Sequence, residues 1–179
     1  TLQEIRLLGL KDLPFCWGEV EECGKDPLEN ARQKALAYYR ICGQPVFSQD
    51  SGLYIEGLPK ERQPGVHVRR VNGVNLTDEQ MRKYYKKIAA EFGGRCVAQY
   101  QNAICLVFSE DEIYEARGGA LNWKKFWLMT EERPQRMEGF PLDAICADYR
   151  TGRHFYDGEA TMPEEEGDGV RDFFRNALK

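Results

Sequence analysis

Apolar positions along the chain recur with two periods, and the longer one marks the helices. Leu28, Ala31, Ala35, Tyr38 and Cys42 stand on one face of a helix predicted over Pro27 to Cys42, a face suited to packing on a sheet. Asp26 fits its N-cap, Pro27 the first helical position, Glu29 the residue that closes a capping box, and Gly43 the left-handed stop. A second helix is expected after Thr77, which makes a capping box with Gln80. Met81, Tyr84, Tyr85, Ile88 and Phe92 form its stripe before Gly93 and Gly94 end it. A last helix follows the acidic stretch 164–168, with Val170, Phe173, Phe174, Ala177 and Leu178 on or near its buried side.

Shorter apolar runs between turn residues predict the strands. Residues 5–10 look like a first strand, followed by a loop through Pro14, Trp17 and Gly24. Residues 45–47 read as a short buried strand, residues 48–52 as a polar turn, and residues 53–55 as a resumed extended arm. A loop over 59–65 leads to an extended segment at 67–71, which Asn72 and Gly73 turn. Residues 95–108 form one long strand whose antiparallel partner is 113–117, and further strands are expected at 126–129 and 144–147. Thr151 and Gly152 then turn the chain into 154–156. The alternation predicts an α/β chain with a mixed sheet flanked by helices, in one domain over 1–179 without repeat or linker.

Composition agrees with that class. The 179 residues are 42% hydrophobic and 30% charged, enough for a core and too polar for a membrane protein; no apolar run approaches the roughly 20 residues of a spanning helix. Six cysteines (Cys16, Cys23, Cys42, Cys96, Cys105, Cys146) stand singly, several in apolar runs, so buried reduced thiols and a cytoplasmic setting are expected. A net charge of −4 argues against a broad hold on a nucleic-acid backbone, but a few converging Lys and Arg with a metal suffice for a small anion.

No Gly-rich phosphate loop, zinc motif or Ser/His pair is present, and with only His67 and His154 a histidine mechanism is disfavoured. The strongest local signal is Asp50, a carboxylate followed by Ser51 and Gly52 between two apolar arms. A carboxylate at a strand end, beside a glycine that admits a ligand to the backbone, suits metal-assisted phosphate chemistry; an Asx-turn is the competing reading.

Three segments, Glu29-Asn30-Ala31-Arg32-Gln33-Lys34-Ala35, Ser48-Gln49-Asp50-Ser51-Gly52-Leu53 and Pro64-Gly65-Val66-His67-Val68-Arg69-Arg70, resemble in order and spacing the signatures of the inosine triphosphatase-like pyrophosphatases. The hairpin strand near 98–108 and the loop 139–143 continue the likeness, which weakens after Asp148. The resemblance implies an elongated mixed sheet in two lobes with a nucleotide cleft between them, magnesium, and a homodimer. The implied reaction splits non-standard purine nucleoside triphosphates such as ITP, dITP and XTP into monophosphate and pyrophosphate, a cleansing of the nucleotide pool.

It also implies roles. Glu29 matches a magnesium-binding glutamate, where an N-terminal cap is the alternative. Asp50 matches the aspartate that binds metal or activates the water attacking the α-phosphorus. Lys34 matches a lysine within reach of phosphate, or else a solvated helix position. Arg70 matches the arginine of the third signature, with Arg69 taking its place if the register slips. Phe140 and Asp143 match a loop that stacks on the purine and meets its edge, the alternative being a core aromatic and a turn carboxylate. Ser51 and Gly52 complete the substrate set, and Arg171 stands where part of the base readout would lie.

Departures from the pattern matter too. The paired aspartates usual at the turn are here Gln49 and Asp50, and Pro141 and Leu142 replace a Gly-Tyr. The histidine before Arg171 is missing, and the phosphate loop that normally precedes the first helix does not occur after Thr1, so a first strand and helix are expected to be missing from the chain as given. The departures leave two alternatives: a nucleotide-binding protein impaired in catalysis, or a pyrophosphatase of the same fold for other modified nucleotides, pyrimidines included. Trp123, Phe126 and Trp127 are expected in a dimer surface or in the core.

Overall fold

The structure, a computed structural model, describes residues 6–14, 18, 20–157 and 168–179. Ile5, Cys16, Trp17 and the acidic stretch 164–167 lie outside the described residues. The main elements are helix α1 (Pro27–Cys42), strand β1 (Val46–Ile55), the two-residue strands β2 (Arg70–Val71) and β3 (Val74–Asn75), and helix α2 (Asp78–Glu91). Strands β4 (Arg95–Ser109), β5 (Glu112–Arg117), β6 (Phe126–Met129) and β7 (Cys146–Asp148) and helix α3 (Asp168–Ala177) follow. This is the mixed α/β class expected, with a five-stranded sheet ordered β1-β4-β6-β7 and β5 paired to β4. Strand β4 pairs antiparallel with β5 and with β6, and β6 with β7, whose register sets Trp127 opposite Ala147. Among the described residues no helix is long and apolar enough to cross a membrane.

Contacts divide the chain into two compact units, both entered by β1 and β4. The first comprises residues 1–51, 101–122 and 166–179. In it, Ala31 and Ala35 of α1 pack with Cys105 and Val107 of β4, and Phe173 and Phe174 of α3 pack with Ile104, Leu106 and Leu121. The second comprises 52–100 and 123–165. Its core joins Leu53 and Ile55, the α2 stripe of Met81, Tyr85 and Ile88, and Phe126, Leu128 and Ile145.

Helix ends follow the capping residues closely. Asp26 Oδ1 accepts from the amides of Leu28 and Glu29, Gly43 takes φ +61°, and Thr77 with Gln80 forms the capping box of α2. Glu29 differs from expectation. Its Oε2 accepts from the amide of Lys25, one residue before the N-cap, at 2.7 Å, so the side chain ties down the incoming loop instead of closing a box on Asp26.

Several strand expectations are corrected. Residues 6–9 take no regular structure, and Leu10–Asp12 is a 3-10 turn whose start Asp12 pins through the Gly9 amide. Residues 48–52 do not turn: β1 runs unbroken from Val46 to Ile55. Turn-type side chains are accepted there because strand preference is a matter of neighbours, and β4 supplies the ladder. Val46 is only half-buried, and Phe47 is exposed apart from an edge-on contact with Phe174. Ala144 and Ile145 belong to a 3-10 turn that leads into β7. Phe92 and Leu178 are exposed. Cys96, Cys105 and Cys146 are buried free thiols as expected, whereas Cys42 is half-buried and Cys23 exposed. Phe126 is core, and Trp127 contacts the Arg95 guanidinium, 4.4 Å from its ring centre, and stacks with the ring of Tyr149.

Candidate active site

The period of two in β1 directs the site of the first unit. Val46, Ser48 and Asp50 share one side of the strand, and Val46 packs against the cluster that Ala31 and Ala35 of α1 form with Cys105 and Val107. Asp50 therefore faces the helix, where Asn30 and Lys34 stand one turn apart. Lys34 Nζ donates to Asp50 Oδ1 at 2.8 Å, and Asn30 Nδ2 donates to Asp50 Oδ2 at 3.2 Å. A second carboxylate, Glu22 Oε1, lies 3.1 Å from the same ammonium.

Burial works against the charge on Lys34, but the hydrogen bonds and charges of Asp50 and Glu22 outweigh it, so its pKa stands raised and the side chain stays cationic. Lys34 is not a solvated helix position, since only 18% of its side chain is exposed. Asn30 is 2% exposed, and its Oδ1 accepts from the Gly24 amide at 2.8 Å. Ser51, on the opposite side of β1, donates to Oδ1 of the buried Asn102 at 2.8 Å, and Asn102 Nδ2 donates to the carbonyl of Leu121.

Thus Lys34 and Asp50 are brought together, with Glu29 adjacent to Asn30 at the start of α1. Glu22, Asn30 and Asn102 were missed by sequence reasoning. Asn30 was findable, since it precedes Lys34 by four residues on the stripe that a facing carboxylate must meet. Nothing in the local pattern marks Glu22 or Asn102. Arg171 is an exposed residue of α3.

The other expected residues lie in the second unit. At Gly52 a Cβ would stand 3.1 Å from the carbonyl carbon of Gly65, because Leu53 and Gly65 exchange both backbone hydrogen bonds. Its glycine serves the chain's own close approach. Arg69 is engaged with Asp78 at 2.7 Å and with the Leu76 carbonyl, and Arg70 with Asn75. Phe140 is exposed, so it is no core aromatic. Asp143 is half-buried among Tyr100, Trp123, Phe126 and Phe155, around a cavity of about 20 Å³.

Burial raises the Asp143 pKa to about 6. The folded chain then holds this proton more tightly than the unfolded chain does. The stabilisation is complete below the unfolded carboxyl pKa near 4 and is lost as pH rises through about 6. Asp143→Asn, which cannot ionise, is expected to gain stability relative to the parent between pH 4 and pH 7; thermal midpoints across that range check it, and a difference independent of pH refutes it.

Among the described residues no three His, Cys, Asp or Glu side chains gather to hold a metal by themselves. Glu29 and Asp50 nevertheless offer the hard oxygens that magnesium takes, and each engaged carboxylate oxygen keeps a free lone pair. One or two carboxylates suffice when substrate phosphates and water complete the shell.

Residues 1–122 match the sequence model of the Ham1 family. The chain belongs to the Ham1 family. A dITP/XTP pyrophosphatase of Geobacter sulfurreducens is 44% identical to this Ham1 chain over 73 residues, 41% of the chain and 35% of that protein. One from Brucella melitensis is 31% identical over 160 residues, 83% of the chain and 66% of that protein. The chain thus spans between about a third and two thirds of the length of these curated relatives. The crystal structure of a nucleoside-triphosphatase, a dITP/XTP pyrophosphatase from Mycobacterium abscessus, superposes on the Ham1 chain with a TM-score of 0.65 at 24% identity. It covers 99% of the chain and 88% of that structure, which establishes the common fold.

Proposed function

We propose that this Ham1 protein hydrolyses non-standard purine nucleoside triphosphates, ITP, dITP and XTP, to monophosphate and pyrophosphate. The observation that carries the proposal is the half-buried Asp50, held by Lys34 and Asn30, in a chain of this family. Asp50 orients the water that attacks the α-phosphorus and accepts its proton as the bond to the β-phosphate oxygen breaks. Lys34 is the cation placed to meet the charge gathering on the phosphates. Glu29 and Asp50 would hold magnesium, which when bound neutralises phosphate charge as a Lewis acid.

Ser51, Gly52, Arg69, Arg70, Phe140, Asp143 and Arg171 complete the substrate set. The exposed ring of Phe140 supports base stacking. A cytoplasmic setting, a homodimer and a single catalytic domain belong to the same proposal. Pyrophosphate release with and without magnesium, from ITP, dITP, XTP, dGTP and dATP, tests it. Release concentrated on the first three supports the proposal, and ligand-dependent thermal stabilisation without release points instead to a nucleotide-binding protein.

Glu22 bears on affinity. With Asp50 it places two negative charges around one ammonium, so an incoming phosphate meets a net negative cluster. Glu22→Gln is expected to lower the KM for ITP about two- to fivefold, the range of an ion pair with one exposed partner worth up to about 1 kcal/mol. An unchanged KM would show that Glu22 does not compete for Lys34.

A further inference from the structure

Asn30 is a buried polar side chain whose orientation is settled by its neighbours. The Gly24 amide can only donate, so the atom facing it at 2.8 Å is the side-chain oxygen, and the amide nitrogen is left to face Asp50. Two carboxylate oxygens then have two different donors: Lys34 on Oδ1 and Asn30 on Oδ2. Lys34 reaches Asp50 on a long flexible stem, whereas Asn30 is short, 2% exposed and clamped from behind.

The clamp itself is tight. A Cβ on Gly24 would stand 2.5 Å from Asn30 Oδ1 and 2.8 Å from Glu29 Cβ, so the loop before α1 lies against the side chain with no room to spare. Glu29 secures the same loop through the Lys25 amide.

We propose that Asn30 is the positioning residue of the site: it transmits the fixed placement of the Gly24 main chain to the Asp50 carboxylate and so holds Asp50 in register with Glu29 and Lys34. The proposal rests on the hydrolytic reading of Asp50. It separates two jobs that one side chain performs, accepting from Gly24 and donating to Asp50, and Asn30→Asp keeps the first while removing the second.

In the nucleotide-free protein the side-chain amide signals of Asn30, assigned by through-bond correlation to its own backbone in the isotope-labelled parent, are expected to be protected from hydrogen exchange and to shift in Asp50→Ala. In Asn30→Asp the Gly24 amide stays protected, while the kcat for ITP falls about 10- to 100-fold with KM within about threefold, the pattern of a misplaced reacting group and not of lost binding. A folded Asn30→Asp protein with the parent's kcat overturns the proposal. So do Asn30 amide signals that ignore Asp50→Ala, a result that decides the matter even if Asn30→Asp fails to fold. An unchanged protein that releases no pyrophosphate from any nucleotide overturns the hydrolytic reading instead, and the amide signals then still report on the Asn30 to Asp50 contact by itself.

Discussion

Asp50→Asn is expected to lower pyrophosphate release from ITP by about 10²- to 10⁴-fold, the range that a positioned acid or base contributes, while the chain stays folded. The substitution keeps the shape of the side chain and removes its charge. With the charge go the proton acceptor and one of the two carboxylates offered to a metal. Lys34 retains Glu22 as an ionic partner, so the ammonium is not left alone in its half-buried position.

The cost in stability is therefore that of the charge-assisted hydrogen bonds from Lys34 and Asn30, one lost and one weakened, about 1.5–3 kcal/mol or somewhat more, and not that of an orphaned buried charge. Pyrophosphate release and a thermal midpoint measured on the same preparation separate the two effects. Full activity in a folded Asp50→Asn protein would remove Asp50 from the chemistry and leave the proposed function without its reacting group.

The legibility of this site in the sequence was uneven, for physical reasons. Helix α1 was readable because its capping residues, Asp26 and Gly43, act within one turn of the chain. Asp50 was singled out for a reason that the structure replaces. It stood out as the centre of a polar turn, but β1 is continuous, and Asp50 matters because alternation along the strand aims it at α1. The turn-like composition of residues 48–52 misled because pairing with β4 decides their conformation, and a neighbour as distant in the chain as Asn102 leaves no local signal.

The same holds for Asn102. Its contacts reach back to Ser51 and forward to Leu121 and Asn122, so its role depends on how distant segments pack. Glu29 shows the opposite case. Its local role was nearly right, displaced by one residue to Lys25, since a glutamate at the start of a helix can reach either of two adjacent amides. Arg69 was the alternative to Arg70 for one position, yet β2 is only two residues long, Arg69 lies in the turn before it, and both side chains are exposed, bonded to their own hairpin or to α2.

Gly169→Ala is expected to destabilise the chain, although alanine is the better helix former. In the first turn of α3 that preference favours alanine by no more than about 1 kcal/mol. Against it stands a steric conflict with main chain. A Cβ at 169 would overlap the carbonyl oxygen and carbon of Ala120 and lie 2.7 Å from the Leu121 nitrogen. No rotamer can relieve this, because neither partner is a side chain, so α3 must lift or the 3-10 turn at Gly119–Leu121 must yield.

Both responses are costly. Lifting α3 loosens Phe173 and Phe174 from Ile104, Leu106 and Leu121. Moving the turn strains the Leu121 carbonyl that accepts from Asn102. Overpacking of this kind costs about 1–3 kcal/mol or more, so a net loss near 2 kcal/mol is expected, and for a chain of this size that lowers the thermal midpoint by about 4–8 °C. A midpoint equal to or above the parent's would mean that α3 does not rest on the Ala120 main chain. Because Asn102 also carries the hydroxyl of Ser51, next to Asp50, a loosened turn should lower pyrophosphate release before the chain unfolds, and activity measured below the midpoint would register it.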